Sequence, residues 1–307
     1  MKVFRGLESL EKLKKPIVTT GTFDGVHLGH QKIISRLKDV AKENDAETLL
    51  ITYHPHPRLV LNPDSNIELL TNVEERILLL EKYGLDNLLI LPFTKEFSRL
   101  TSTEFIRDII VNAIETHKLV IGYDHQFGRN REGSFEHLKE FGPLYGFGIE
   151  EIQAKDIDNV NISSTKIRNA LHEGNVEKAN TFLGHPYSLS GEVVEGAQIG
   201  RDIGFPTANI NINDKNKLIP LNGVYAVSVL IDGETKKGML NIGTRPTIDN
   251  NNKQSIEVHI FNESRNLYGK HLVVNLIKRI RSEVKFESLD DLQKQLEQDK
   301  MTIKNAL

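Results

Sequence analysis

Hydrophobic and polar positions follow a strand–helix rhythm in the first half of the chain. Short apolar or β-branched runs, PIVTT, ETLLITY, DNLLILPF and HKLVIGYD, predict buried strands. Between the first two runs, HQKIISRLKDVAKEN carries Ile33, Ile34, Leu37 and Val40 at helical spacing. This βαβα order predicts a parallel sheet with helices on both faces, in which ligands bind at the carboxyl ends of the strands.

Capping residues mark helix ends in this half. Thr71 with Glu74, and Thr101 with Glu104, have the spacing of a capping box and predict helices that start at these threonines. Gly84 follows the first of these helices, where a left-handed residue commonly ends a helix. The segment SSTKIRNALHEGNVEKANTFLG is predicted to be helical and to complete a first domain.

The period of the pattern changes beyond about residue 184. NGVYAVSVLIDGETKKGMLNIG alternates on both sides of an Asp232-Gly233 pair, which predicts a hairpin. SIEVHIFN and HLVVNLIKRIR continue as strands, and SLDDLQKQLEQDKMTIKNAL predicts an amphipathic terminal helix. An antiparallel β-barrel with a terminal helix fits these runs. We therefore predict two domains, residues 1–183 and 184–307.

Composition narrows the function classes. The 307 residues are 38% hydrophobic and 26% charged, with a formal net charge of -3, so no basic surface for nucleic acid is indicated. The absence of cysteine excludes disulfides, thiolate metal sites and a thiol nucleophile. The start, MKVFRGLESLEKLKK, has no apolar signal region, and no apolar run reaches the length of a membrane span, so a cytoplasmic protein without a membrane partner is expected.

The stretch GTFDGVHLGH carries the first candidate chemistry. Gly21, Gly25 and Gly29 allow tight turns and close approach to a ligand, and His27 and His30 lie where a helix begins. Helix N-termini attract anions, which makes phosphate the expected ligand. Imidazoles placed there can donate hydrogen bonds to oxygens that gain charge in a transition state.

Two other interpretations of this stretch stay open. It could be a plain glycine-rich turn with surface histidines. It could also contribute to a metal site formed by His27, His30 and Asp24 with the nearby His54 and His56. The H-E-x-x-H spacing of a zinc protease helix is absent.

GTFDGVHLGH resembles the HxGH signature of nucleotidyltransferases, in the form found in bacterial bifunctional riboflavin kinase/FMN adenylyltransferases (FAD synthetases). TYHPHPRLVL, IGYDHQFGRNREGS and ISSTKIRNALHEGNVEKANTFLGHPY resemble further segments of that family. In the second half, GRDIGFPTANI, GVYAV, GMLNIGTRPT, IEVHIF and LYGKHLVV follow the order of its riboflavin kinase domain. The resemblance spans essentially the whole chain.

The resemblance implies a Rossmann-like α/β HxGH nucleotidyltransferase domain followed by an antiparallel β-barrel riboflavin kinase domain with a C-terminal helix. It implies that ATP phosphorylates riboflavin to FMN in the second domain, and that ATP adenylylates FMN to FAD plus pyrophosphate in the first. The expected small-molecule partners are riboflavin, FMN and ATP, with Mg²⁺ accompanying ATP. A weak homo-oligomer is compatible with the sequence.

For the first domain, the resemblance makes His27 and His30 catalytic, in contact with phosphate oxygens that become more negative. Ser164, Thr165 and Arg168 would hold the distal phosphates. The full set of binding residues implied here is Gly21, Phe23, Asp24, Gly25, Gly29, Asp124, Ser164, Thr165 and Arg168. As alternatives, Ser164 or Thr165 could cap a helix and Asp124 could end a strand. His125 stands where the family usually has Phe.

For the second domain, the resemblance assigns Thr207 and Asn209 of FPTAN to Mg²⁺ and makes Glu257 the base for the terminal ribityl hydroxyl. It implies nucleotide or substrate binding by Gly200, Gly204, Tyr268 and Arg281. FPTAN could instead be a plain turn. Glu257 could instead form a cross-strand salt bridge to Lys278, Arg279 or Arg281. Asn262-Glu263 stands where family members commonly have Asp-Phe.

Two rival functions stay open. One is a narrower enzyme, either with a single active half or with another phosphorylated acceptor such as pantetheine phosphate. The other is a flavin-sensing or partner-binding module, which would bind flavin tightly without turnover.

Overall fold

Six strands of the first half form one sheet: β1 Lys2–Arg5, β2 Ile17–Thr20, β3 Thr48–His54, β4 Asn87–Pro92, β5 Lys118–Gly122 and β6 Gly148–Ile152. Their order is β1–β4–β3–β2–β5–β6, and all neighbours are parallel, as predicted. The chain leaves β2 toward β3 and β4 and later returns to the other side of β2 as β5. Parallel sheets bind ligands at such a switch point. The GTFDGVH segment follows β2 and therefore lies there.

The computed structural model describes residues 1–64, 66–123, 126–153, 162–196, 200, 203–245 and 253–306. They form two units, Met1–Ser164 and Thr165–Leu307. The helices described in the first unit are Leu28–Glu43, Pro57–Leu61, Val73–Lys82, Ser102–Glu104 and Phe135–Tyr145, with short 3-10 turns at Leu7–Ser9, Phe97–Arg99 and Arg129–Arg131. No helix in these ranges is long and apolar enough to cross a bilayer.

The central strands are apolar on both faces because helices cover both. Ile17 and Leu50 pack with the helix Leu28–Glu43 on one face, while Val18 and Leu49 pack with Phe105–Ala113 on the other. Phe105–Ala113 continues the short helix Ser102–Glu104 as a π-helix. The sequence predicted a helix here, but the spacing of its apolar residues did not indicate the π-helical hydrogen-bonding pattern.

One capping prediction was wrong and two were confirmed. The capping box of the helix Val73–Lys82 uses Asn72 and Glu75 rather than Thr71 and Glu74, because the Thr71 hydroxyl is bonded to the glycine-rich loop instead. Thr101 and Glu104 form the expected box. Gly84 follows its helix with a φ of 76°, in the left-handed region.

The second unit is a closed barrel of six strands: β7 Tyr187–Val194, β8 Ala208–Asn211, β9 Gly223–Ile231, β10 Glu234–Arg245, β11 Lys253–Ile260 and β12 His271–Arg281. They run antiparallel in the order β10–β11–β8–β7–β12–β9, which confirms the predicted barrel. Asp232 and Gly233 both have positive φ, as a two-residue hairpin turn requires.

Among the residues described in this part of the chain, the longer helices are Ser164–His172, which starts at the last residue of the first unit, Val176–Leu183 and the terminal helix Leu289–Ala306. The helix Val176–Leu183 is tied to the barrel, because the Asn180 side chain donates to the Leu276 carbonyl and accepts from the Tyr187 amide. By packing, the chain therefore divides after Ser164. A functional boundary at residue 183 stays a prediction.

Candidate active sites

Three aromatic rings cluster where the helix Leu28–Glu43 begins. His27 precedes the helix, and its Nδ1 lies 3.4 Å from the His30 amide nitrogen, from which it accepts a hydrogen bond. The His27 and His30 rings stack with centroids 3.7 Å apart, and Phe23 lies 4.6 Å from His30. Because Nδ1 of His27 accepts, its neutral ring carries the proton on Nε2. The site therefore offers an N–H donor beside a helix N-terminus.

His30 is held in its neutral form. Burial, then the proximity of His27 and of Arg76, lowers the pKa of His30 well below its ordinary value. Its Nδ1 is buried, and no described residue hydrogen-bonds to it. The His30 ring is therefore neutral at physiological pH.

Asp24 is buried and holds the loop to the segment before the helix Val73–Lys82. Its carboxylate accepts hydrogen bonds from the amides of Leu70 and Thr71, at 3.1 and 3.0 Å, and from the Thr71 hydroxyl at 3.3 Å. The Thr71 hydroxyl accepts in turn from the Gly25 amide at 3.1 Å. The sequence pointed to Asp24 but missed Thr71, which it assigned to a helix cap.

The loop has an unusual backbone. Phe23 and Val26 adopt φ values of 47° and 39°, in the region that non-glycine residues rarely occupy, with Gly25 at 81° between them. All three are buried. Such conformations persist only where surrounding contacts enforce them, and they cluster at functional sites. The Asp24–Thr71 contacts supply that enforcement.

Ser164 joins the same loop. Its hydroxyl donates to the Asp24 carbonyl at 3.2 Å, and it is the first residue of the helix Ser164–His172 rather than a residue before it. Thr165 and Arg168 lie further along this helix, within the second unit. Gly21 and Gly29 belong to the loop and the first helical turn, while Asp124 and His125 lie outside the described residues.

The metal interpretation gains no support in the first unit. Asp24 uses both carboxylate oxygens for the contacts just described, and Nδ1 of His56 accepts from the Arg58 amide. Across the described ranges, no three His, Asp or Glu side chains group as a metal site.

In the second unit, the structure brings three predicted residues together. Glu257 of β11 pairs in register with Asn209 of β8. The Thr207 hydroxyl donates to Glu257 Oε2 at 3.3 Å. A hydroxyl, an amide and a carboxylate therefore meet at one edge of the β8–β11 pair.

The alternative role of Glu257 in a cross-strand salt bridge to β12 is wrong. The neighbours of β11 are β10 and β8, whereas Lys278, Arg279 and Arg281 belong to β12. Lys278 pairs with Glu177, and Arg279 donates to the Asn222 carbonyl.

Gly200 and Phe205 of GRDIGF are joined through their backbones. The Phe205 amide donates to the Gly200 carbonyl at 2.7 Å. A Cβ on Gly200 would lie 2.2 Å from the Phe205 carbonyl oxygen, so only glycine fits there. Gly204 has a φ of 80°. Both predicted glycines therefore occupy positions that suit glycine, shortly before Thr207 in the chain.

The other predicted residues of this unit, Tyr268 and Arg281, make contacts with residues other than Thr207, Asn209 and Glu257. Tyr268 is 47% exposed, and its amide donates to Asn266. Arg281 forms a two-pronged ion pair with Asp299 of the terminal helix, with N–O distances from 2.8 to 3.1 Å. Glu263, from the departure noted in the sequence, pairs with Arg265 and Lys236, whose hydrogen bonds hold its pKa well below the ordinary range.

Comparison with known proteins now bears on these sites. A family model described as FAD synthetase matches residues 9–166, and one described as riboflavin kinase matches residues 183–307. The chain belongs to the bifunctional riboflavin kinase/FMN adenylyltransferase family. A family member from Escherichia coli K12 is 38% identical over 305 residues, which cover 98% of this chain and 96% of the relative. Another, from Haemophilus influenzae, is 38% identical, with coverage of 99% and 98%.

A solved structure also matches over the full length. It has a TM-score of 0.89 and 30% identity, covers 99% of each chain, and is titled a macrolide-efflux protein from Streptococcus pneumoniae. That title differs from the names of the curated bifunctional relatives. The two family models match in the order expected for the bifunctional family, and the names of the curated relatives include the same two activities.

Arg76 is a site residue that the sequence reasoning missed. It is 3% exposed, and its Nη1 donates to the Thr52 hydroxyl at 3.1 Å, at the carboxyl end of β3. Its charge contributes to the lowered pKa of His30. One signal was present: Arg76 precedes the buried Leu80 by four residues, so the two share a helix face.

Two clefts adjoin the kinase-side residues, and both are lined in part by Lys304 of the terminal helix. One, of about 420 Å³, is lined by Ile203, Gly204, Phe205, Gln293, Glu297, Lys300, Met301 and Lys304. The other, of about 500 Å³, is lined by Lys236, Lys237, Phe261, Asn262 and Lys304. Aromatic rings and ammonium groups together suit a planar or anionic ligand.

Proposed function

We propose that the first unit transfers AMP from ATP to FMN and that the barrel unit phosphorylates riboflavin to FMN. The observation that carries this is the match of one chain to both family models, in the order FAD synthetase then riboflavin kinase. In the first reaction a phosphate oxygen of FMN bonds to the α-phosphorus of ATP, and pyrophosphate leaves. In the second, the terminal ribityl oxygen bonds to the γ-phosphorus, and ADP leaves.

For adenylyl transfer, the chain supplies position and hydrogen bonds rather than a covalent nucleophile. The Nε2–H of His27 donates to a phosphate oxygen that gains charge, and neutral His30 supports it by stacking. The loop is fixed beforehand by Asp24 and Thr71, so little reorganisation is needed when ATP binds. Ser164, which is hydrogen-bonded to this loop, contacts the distal phosphates. The phosphate-binding roles of Thr165 and Arg168 stay predictions from the sequence, and the planar guanidinium of Arg168 suits such a role.

For riboflavin phosphorylation, Glu257 accepts the proton of the attacking hydroxyl. Its contact with Thr207 and its register pair Asn209 support this placement. The Thr207 hydroxyl and the Asn209 amide are hard oxygen donors, which fit Mg²⁺, an ion that retains waters and phosphate oxygens in its shell. Mg²⁺ bound there would neutralise charge on the ATP phosphates. Gly200 and Gly204 contribute to nucleotide binding beside Thr207, and Tyr268 contributes to the substrate side.

A cytoplasmic location and the absence of a nucleic-acid partner belong to the same proposal. Both reactions consume ATP, and the net charge of -3 provides no basic surface excess for phosphate backbones. Weak self-association stays a prediction.

The experiment is direct: the pure chain is incubated with riboflavin, ATP and Mg²⁺, and flavins are resolved by chromatography over time. FMN is expected first and FAD second. Formation of one product only would favour a narrower enzyme, and tight flavin binding without turnover would favour a sensing module. Pantetheine phosphate as an alternative acceptor is expected to give no adenylylated product.

A further inference from the structure

His259 lies two residues beyond Glu257 on β11, so both side chains point to the same face of the strand. The imidazole is 7% exposed and lies between two phenylalanine rings, with centroids 5.1 Å from Phe205 and 5.6 Å from Phe261. The ammonium group of Lys300, from the terminal helix, lies over both phenylalanine rings at 5.5 and 5.6 Å. The ring is therefore fixed on both sides.

The ring has one polar contact among the described residues. Nδ1 lies 2.8 Å from the Pro206 carbonyl oxygen. A carbonyl can only accept, so Nδ1 carries the proton and Nε2 carries the lone pair. Nε2 is buried, and no described group hydrogen-bonds to it. Burial lowers the pKa of His259, which is consistent with this neutral form.

The hydrogen bond from His259 to Pro206 lies just beyond the end of the pairing between β8 and β11. Between β8 and β11 the paired residues are Glu257 with Asn209 and Val258 with Ala208. The next antiparallel pair would join His259 to Thr207, but β8 begins at Ala208. The His259 side chain reaches one residue further, to Pro206, and so continues the connection without a backbone ladder.

Thr207 is thereby held from two directions. Its hydroxyl donates to Glu257, and the carbonyl of the preceding Pro206 is held by His259. Before Pro206, the Phe205 amide is bonded to the Gly200 carbonyl. Without the His259 contact, the segment between Phe205 and Ala208 would keep the Thr207–Glu257 hydrogen bond but lose the contact that holds its backbone to β11.

We propose that His259 is a positioning residue of the kinase site: its Nδ1–H holds the Pro206 carbonyl and thereby fixes Thr207 beside Glu257. This inference rests on the proposed riboflavin kinase function of the barrel. It assigns His259 no contact with substrate.

Three full-length variants separate the hydrogen bond from the packing. His259→Asn keeps a donor, because the Asn amide nitrogen can occupy the place of Nδ1. His259→Phe keeps the ring and loses the donor. His259→Gln keeps polarity and moves the donor away from Pro206, so it serves if the Phe variant folds poorly. The measurements are kcat and KM for riboflavin phosphorylation, calorimetric affinity for Mg·ADP, and adenylylation of added FMN in the same samples.

The Phe and Gln variants are expected to lose about tenfold in kinase kcat, the equivalent of one hydrogen bond. Both should bind Mg·ADP more weakly, while KM for riboflavin and the FMN adenylylation rate stay unchanged. The Asn variant should stay within about threefold of the unsubstituted protein.

Two results would overturn the positioning role. One is unchanged kinase turnover and Mg·ADP affinity in the Phe and Gln variants. The other is an Asn variant as impaired as they are, since packing alone would then explain the loss. If the unsubstituted chain makes no FMN, the proposed kinase function fails together with this inference, which distinguishes that failure from the first two.

Discussion

Thr71 Oγ1 lies 3.3 Å from the Asp24 carboxylate and 3.1 Å from the Gly25 amide nitrogen, so one hydroxyl joins two residues of the glycine-rich loop. This contact spans more than 40 positions of sequence and holds a loop in which Phe23 and Val26 have positive φ. Rigidity at the proposed adenylyl-transfer site therefore depends on a residue outside the HxGH motif.

The variant Asp24→Asn tests this dependence. It preserves size but removes the charge that accepts two backbone amides, so we expect a loss of about 1–3 kcal/mol in the free energy of unfolding. FMN adenylylation should fall while riboflavin phosphorylation persists. Urea denaturation and separate assays of the two reactions provide the measurements.

The matched control for that variant is Asp108→Asn, which removes an exposed carboxylate paired with Arg107 and should leave the free energy of unfolding nearly unchanged. An Asp24→Asn protein as stable as the Asp108→Asn protein would show that the loop does not depend on the carboxylate.

The stability of the first unit should depend on pH through His30. Its folded pKa lies well below the ordinary value, so below about pH 6.5 the unfolded chain gains a proton that the folded state does not take up. Stability is therefore lost as the pH falls below that value and is unaffected above it. His30→Asn should remove about 1 kcal/mol of the loss between pH 7.5 and 5.5.

Urea unfolding at both pH values measures this difference. An unchanged pH dependence in His30→Asn would contradict the neutral assignment.

Arg281 was predicted to bind substrate or nucleotide, but its contacts favour a role in anchoring the terminal helix. Asp299 is 2% exposed, and removing one partner of such a buried pair typically costs about 3–5 kcal/mol. Arg281→Ala and Asp299→Ala should each destabilise the barrel unit by about 3 kcal/mol. The double variant should lose less than the sum, because no buried charge is left alone.

Thermal or urea unfolding checks these losses, with Lys278→Ala as a control from an exposed pair. If Arg281→Ala raises KM for ATP without a loss of stability, while Asp299→Ala does not, Arg281 binds nucleotide as the sequence suggested.

Much of the fold could be predicted because its strands are buried on both faces or alternate strictly. The edges were harder to predict. KVFR of β1 and GIEEI of β6 each bury a single residue, so neither strand has the apolar run from which a buried strand is predicted. The helix Phe135–Tyr145 contains Gly142 and Pro143, which sequence rules treat as helix breakers.

The candidate sites likewise contain features that the sequence predicted and features that it did not. Local motifs identified the loops, because glycine spacing and helix start signals each involve only a few consecutive residues. The contacts that hold those loops come from distant positions: Thr71 on Asp24, and His259 on Pro206. The choice between Thr71 and Asn72 as helix cap was undecidable locally, because each has a glutamate three residues later.

The central claim is that one chain carries two independent sites, and trans-complementation tests it most directly. His27→Ala/His30→Ala should convert riboflavin to FMN but make little FAD, with adenylylation reduced at least about a hundredfold. Glu257→Gln should make no FMN yet convert added FMN to FAD. An equimolar mixture of the two proteins, given riboflavin, ATP and Mg²⁺, should restore FAD on chromatography. Absence of FAD from the mixture, with both proteins folded, would contradict the account.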